Sequence, residues 1–310
     1  MWDTEVDVAV IGAGIGGLAN AIATVDAGGE VLVADAAPAF HGDAAPVALR
    51  GRIVAKRGAL LHDTVDVETN EYLAAVSEGV LESADVVRDA LVPRRTARNL
   101  SRDEAFGRVE TFMGSRLTAW AAQCIASPYG LLYTSMCDWR TTTMKSDDGG
   151  SIEVTSVGAM EWADGFGESA LRRWMTAQAR ERDIEVEAAS TLDRIVFEEG
   201  VIVGVVLTTP DGPYAVRTRA GVTLASGDQD LGVDEHVELT TGERLQVCLV
   251  GRTASRFSRV ELLATEPAAP SRPTCTGSRR QLREGMHDAR QPSLDGWRCG
   301  KVHGYTTFGQ

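Results

Sequence analysis

Several things are scarce in this 310-residue sequence, and each scarcity removes a class of function. Basic residues are outnumbered, 31 Lys and Arg against 44 Asp and Glu, for a formal net charge of −13. A dedicated nucleic-acid surface needs clustered cations against phosphates, so that role is excluded, and so is a polybasic membrane patch. No apolar stretch reaches membrane-spanning length. The five cysteines (Cys124, Cys137, Cys248, Cys275, Cys299) are odd in number and contain no Cys-x-x-Cys. They read as reduced thiols in a cytosolic compartment, not as a disulfide frame or a zinc site. The five histidines show no ligand spacing. There is no Gly-x-Ser-x-Gly elbow, no nucleotide P-loop and no internal repeat. The opening Met1-Trp2-Asp3-Thr4-Glu5 is acidic where an export signal is basic, so a cytoplasmic location is expected.

What is present is concentrated near the start. Val6 to Ile11 is a near-continuous apolar run, the pattern of a strand covered on both faces. The Gly12-x-Gly14-x-x-Gly17 turn follows it, and the Ala-rich segment Leu18 to Ala27 reads as a helix stopped by Gly28-Gly29. Val31 to Ala34 is a second buried strand, ended by Asp35. A glycine turn between a strand and a helix is the context in which it binds a dinucleotide. Gly12 permits the sharp exit, Gly14 lets a diphosphate approach the backbone, and Gly17 lets helix and sheet pack closely. Asp35 is spaced to accept hydrogen bonds from a ribose diol.

Further along, Glu68 to Leu91 and the stretch around Leu117, Trp120 and Cys124 carry helical periodicity. Glu168 to Arg182 reads as a helix, and Ile184 to Val186 as a strand. Leu192 to Phe197, Val201 to Leu207 and Tyr214 to Arg217 read as an antiparallel meander, with Glu198-Glu199-Gly200 and Asp211-Gly212 as reversals. Val222 to Ala225 reads as a separate short strand. From Ala268 onward seven basic residues face three acidic ones, about +4 against about −17 for the rest, and periodicity disappears.

The run Asp7-Val8-Ala9-Val10-Ile11-Gly12-Ala13-Gly14-Ile15-Gly16-Gly17-Leu18 resembles the start of the two-dinucleotide-binding-domain flavoproteins. Val222-Thr223-Leu224-Ala225-Ser226-Gly227 is similar to the block where those chains re-enter the sheet. The order of parts is most similar to the fumarate reductase and succinate dehydrogenase flavoprotein class, which includes 3-ketosteroid dehydrogenases, over approximately Asp3 to Asp228. The resemblance implies FAD as cofactor, and an oxidoreductase moving hydride between flavin and a carbon beside a carbonyl or carboxylate. It also implies an α/β fold: a Rossmann-like FAD-binding domain (1–50 and 165–228) with a small antiparallel meander and an inserted, mainly helical lobe (51–164). No counterpart of the class's closing block is read after Asp228, so residues 229–310 are expected to be a divergent, partly irregular tail of a C-terminally truncated member.

The cofactor-binding residues expected on this basis are Gly12, Ala13, Gly14, Ile15, Gly16, Gly17, Asp35, Ala36, Val186, Ala225, Ser226 and Gly227. Tyr129, Tyr133 and Arg140 are candidates for substrate chemistry, a phenol as proton donor and a guanidinium as carboxylate clamp. For both tyrosines strand packing is the commoner fate. His41 follows the ribose strand and is kept as a candidate near flavin. A small-molecule substrate and an electron-acceptor partner are expected. Two alternatives stay open: a non-catalytic truncated remnant, and an NAD(P)-binding Rossmann enzyme.

Overall fold

The computed structural model describes residues 1–36, 54–56, 59–61, 66–78, 80, 92–101, 104, 114–135, 141–161, 168–225 and 244–265. Among them the fold is mixed α/β, rich in sheet and with few helices.

Strand β1 (Thr4–Ile11), helix α1 (Ile15–Asp26) and strand β2 (Val31–Ala34) follow each other as the glycine spacing predicts. β1 and β2 are parallel, with Val8 opposite Val31 and Ile11 opposite Ala34. Two distant segments extend this parallel set. On one side β2 pairs with the short β9 (Val186–Glu187), and on the other β1 pairs with β12 (Gly212–Ala225). The order β9-β2-β1-β12 buries Val8, Val10 and Val33 against Ala21 of α1, which is why these positions are small or β-branched. Helix α4 (Glu168–Arg180) packs beside α1, and Arg182, just past its end, holds Asp26 with a two-pronged ion pair of 2.7 and 3.0 Å.

The meander is present as expected. β10 (Thr191–Glu198) and β11 (Val201–Thr209) are joined through Glu199 and Gly200, both at positive φ (51° and 76°). Such a turn twists with the strands it joins. One expectation changes: Tyr214 to Arg217 and Val222 to Ala225 are not two strands but one, β12, running through Gly221. Its first part is antiparallel to β11 and its later part parallel to β1. The register slips between Val6 and Val8, and Gly221 absorbs the slip at φ +138°.

Residues 51–164, expected to be mainly helical, contain two described helices, α2 (Val67–Ser77) and α3 (Gly114–Ala126). They also contain six strands: β3 (Val54–Lys56), β4 (Ala59–Leu61), β5 (Arg94–Asn99), β6 (Gly130–Tyr133), β7 (Thr142–Ser146) and β8 (Ser151–Glu161). The Thr and Val positions of β7 and β8 favour extended chain, and long-range pairing supplies what their weak apolar pattern hides. The segment 229–310, expected to be a divergent and partly irregular tail, contains two described strands. β13 (Arg244–Gly251) and β14 (Phe257–Thr265) form an antiparallel hairpin inside the main sheet.

This hairpin closes a ring. β13 pairs with β8, β8 with β7, β7 with β5, β5 with β14, and β14 again with β13. Paired residues face the same way, so Ala97, Met144, Ile152, Val154, Cys248, Val250 and Leu263 point to the inside, where all are buried. Glu261 lies opposite Cys248 on that inner face and is fully buried. Its carboxylate accepts from Arg95 Nε at 2.7 Å and Nη2 at 3.2 Å, and from Arg259 Nε at 2.8 Å. β14 also pairs through Phe257 to Arg259 with β6, which in turn pairs with β12, joining ring and parallel strands in one sheet. No described helix is long and apolar enough to cross a membrane.

Candidate functional site

The head of α1 is a turn in which bare glycines bring main chain close to its neighbours. Gly12 leaves β1 at φ +100°, and a Cβ there would stand 3.1 Å from the Cβ of Ala225 on β12. A Cβ on Gly17 would collide with the carbonyl oxygen of Gly12, so the turn closes only because position 17 is bare. Gly16 is nearly as confined, 3.1 Å from the Tyr129 carbonyl oxygen. Gly14 differs: no atom of the described residues lies within 4 Å of where its side chain would be. The three packed glycines hold the turn, and the fourth is unconfined among the described residues.

Gly14 is also the N-cap of α1, with no side-chain cap and no acidic residue in the first turn. Helix α2 shows the contrast. There Asp66 caps the helix by accepting from the Thr69 N–H at 2.8 Å, and the partner hydroxyl at 2.6 Å. An N-terminus without such a cap keeps its first N–H groups and its partial positive charge for something outside the helix.

Asp35 is brought to this turn by the β1–β2 pairing. Its Oδ2 accepts from the Ala13 N–H at 2.6 Å, and only 8% of the residue is exposed. The backbone around it is held on both sides: the Asp35 N–H donates to Glu187, and its carbonyl accepts from Ser190. Ala36 follows, half-buried. Glu187 turns its carbonyl toward Asp35, so the neighbouring Val186 turns its main-chain N–H and C=O away from β2, at the edge of the described sheet. Its side chain is 39% exposed.

The structure therefore gathers Gly12, Ala13, Gly14, Ile15, Gly16, Gly17, Asp35 and Ala225 at one place, with Val186 one strand beyond. Ser226, Gly227, Arg140 and His41 lie outside the described residues. Tyr129 is buried in the apolar cluster with Ile15, Leu18 and Leu131. Tyr133 packs against the same cluster: its phenol oxygen accepts from Ser258 Oγ at 2.7 Å, and burial of that phenol pushes its pKa up to about 12. The side chain of Asn20, from the middle of α1, reaches the same phenol. Asn20 was not singled out from the sequence, although a buried amide among Leu18, Ala19 and Ile22 is a visible break in an apolar helix face. Among the described residues no three His, Cys, Asp or Glu side chains are grouped to hold a metal.

No family model matches the chain, and no curated protein matches it. Solved structures do. The 3-ketosteroid-Δ4-(5α)-dehydrogenase from Rhodococcus jostii RHA1, in complex with 4-androstene-3,17-dione, is 20% identical, with 72% of this chain and 46% of that one covered at a TM-score of 0.30. A flavocytochrome c3 fumarate reductase is 18% identical, with 71% and 33% covered at 0.31. Aklavinone-11 hydroxylase, in a ternary complex with FAD and aklavinone, is 21% identical, with 70% and 32% covered at 0.28. The chain spans a third to just under a half of these proteins. Both classes named from the sequence, fumarate reductase and 3-ketosteroid dehydrogenase, are among them.

Proposed function

We propose that this chain is an FAD-dependent oxidoreductase whose glycine turn and Asp35 hold the ADP half of the cofactor. The observation that carries the reading is the contact between the Ala13 N–H and Asp35 Oδ2 beside the open position at Gly14. It sets a sugar-binding carboxylate and a bare, uncapped helix N-terminus side by side, which a ribose followed by a diphosphate requires. Gly12 to Gly17 would take the diphosphate, Asp35 with Ala36 the ribose, and the outward main-chain pair of Val186 the adenine edge. Ala225 and the Ser226-Gly227 pair after it would line the approach toward the flavin. Segments 1–50 and 165–228 would form the Rossmann-like unit, with 51–164 inserted.

FAD, when bound, supplies reversible hydride chemistry, here by resemblance at a carbon beside a carbonyl or carboxylate. The chain's own part is to orient that cofactor: packed glycines fix the turn, and Asp35 fixes the sugar through a carboxylate already held by Ala13. Neither tyrosine is given a proton-transfer role, because Tyr129 is buried in the core and Tyr133 stays protonated up to about pH 12.

The test is an absorbance spectrum of the purified full chain, followed by thermal shifts with FAD, ADP and NADH. Bound flavin, or a rise in Tm with FAD that exceeds the rise with NADH, is expected. Absence of flavin together with no response to FAD would sink the reading, and preference for NADH would replace it with an NAD(P)-binding enzyme.

A further inference from the structure

A cavity of about 330 Å³ lies away from the glycine turn, lined by Arg116, Trp120 and Gln123 of α3, by Asp148 and Gly150 of the β7–β8 turn, and by Arg252 after β13. Its charges are unevenly used. Asp148 is already shared between two guanidiniums, Arg95 Nη1 at 3.4 Å and Arg252 Nη2 at 3.5 Å. Arg95 and Arg259, behind it, share the single buried carboxylate of Glu261. Asp147 adds one further negative charge near Arg95. Arg116 has no hydrogen bond or ion pair among the described residues. Three guanidiniums are thus already matched to carboxylates, and Arg116 brings a fourth to the wall of the cavity.

The indole of Trp120 organises this end of the ring. Its Nε1 donates to the Phe257 carbonyl at 2.9 Å, and the guanidinium carbons of Arg252 and Arg259 lie 5.4 and 5.3 Å from its ring centre. A cation held on an aromatic face loses side-chain freedom before any ligand arrives. Arg252 is further tied to the Ser151 carbonyl at 3.4 Å. One pre-set guanidinium, one guanidinium with no side-chain partner among the described residues, and the Gln123 amide therefore border the same hollow.

We propose that this cavity is a binding site for a small oxyanion, a carboxylate or a phosphate, gripped between Arg116 and Arg252. Arginine forks match both anions. The site shares no residue with the glycine turn and stands independently of the FAD reading.

The experiment is calorimetric titration of the full chain at low ionic strength with succinate, with inorganic phosphate and with uncharged succinamide. Saturable binding of at least one anion and none of the diamide is expected, and the stronger binder identifies the class. Arg116→Ala removes an exposed side chain and should weaken binding at least five-fold. Ala119, an exposed position of α3, also lines the hollow, so Ala119→Trp should fill it and abolish binding. FAD binding should be unchanged in both variants. If neither anion saturates the wild type, or if Ala119→Trp binds as the wild type does, the assignment is overturned.

Discussion

Gly14 and Gly17 make opposite demands on the same turn. At Gly17 any side chain meets the Gly12 carbonyl, and a backbone oxygen in a packed turn has nowhere to go. Gly17→Ala should therefore cost on the order of 3 kcal/mol of stability, the upper range for overpacking. At Gly14 the backbone is ordinary (φ −65°) and the space is open. Gly14→Ala should change stability by less than about 1 kcal/mol, yet weaken FAD at least ten-fold by intruding on the proposed place of the diphosphate. Urea unfolding and FAD titration on the two variants read these effects apart, and a Gly14→Ala protein with wild-type affinity would contradict the proposed position of the phosphates. Tyr133 gives a second test at this scale. Its folded pKa, about 12, lies above the ordinary value of 10, so the protonated phenol is favoured by folding. Its contribution is fully present below pH 10 and disappears as pH rises from 10 to 12. Cys248, pushed up to about 12 from 9 by burial and by Glu261 opposite, adds a loss over pH 9 to 12. Tyr133→Phe should flatten the fall in stability between pH 10 and 12, measured by urea midpoints.

Among the elements, the closed ring of β5, β7, β8, β13 and β14 rests on one buried carboxylate between two guanidiniums. Removing the charge of Glu261 takes away the fully buried carboxylate that Arg95 and Arg259 share and leaves Arg95 with Asp148 at the exposed rim; breaking such a buried pair typically costs about 3–5 kcal/mol. Glu261→Gln should lower the urea midpoint accordingly, and a loss below about 1 kcal/mol would mean that water reaches the pair. None of this was legible in the sequence. Arg94-Arg95-Thr96-Ala97-Arg98-Asn99 has no apolar alternation, and its partner Leu262 to Thr265 lies more than 160 positions away. The β1-α1-β2 turn was legible because its determinants, glycine spacing and a terminal acid, fall within one short segment. The meander was legible for the same local reason, in Glu199-Gly200 and Asp211-Gly212. β12 was misread as two strands because Gly221 looks like punctuation, whereas here it carries a register slip inside a continuous strand. Tyr133 could be marked as a candidate, but its Ser258 partner sits in the hairpin that the resemblance had assigned to the tail.

At the scale of the molecule, the described residues of Met1–Thr265 belong to one compact unit. The sheet passes from β9 through the parallel strands to β12, then β6, then β14 and the ring, with hydrogen bonds at each step. Thermal unfolding followed by far-UV and by tryptophan signals should therefore give one coincident transition, and two separated midpoints would count against a single cooperative sheet. β14 is the junction, since along one edge it borders first β6 and then β5. A strand gripped by two neighbours in succession transmits stiffness. Amide exchange at Val247 and Leu249, far along the chain from the glycine turn, should slow when FAD is added, because quieting the parallel strands also quiets the hairpin they lean on.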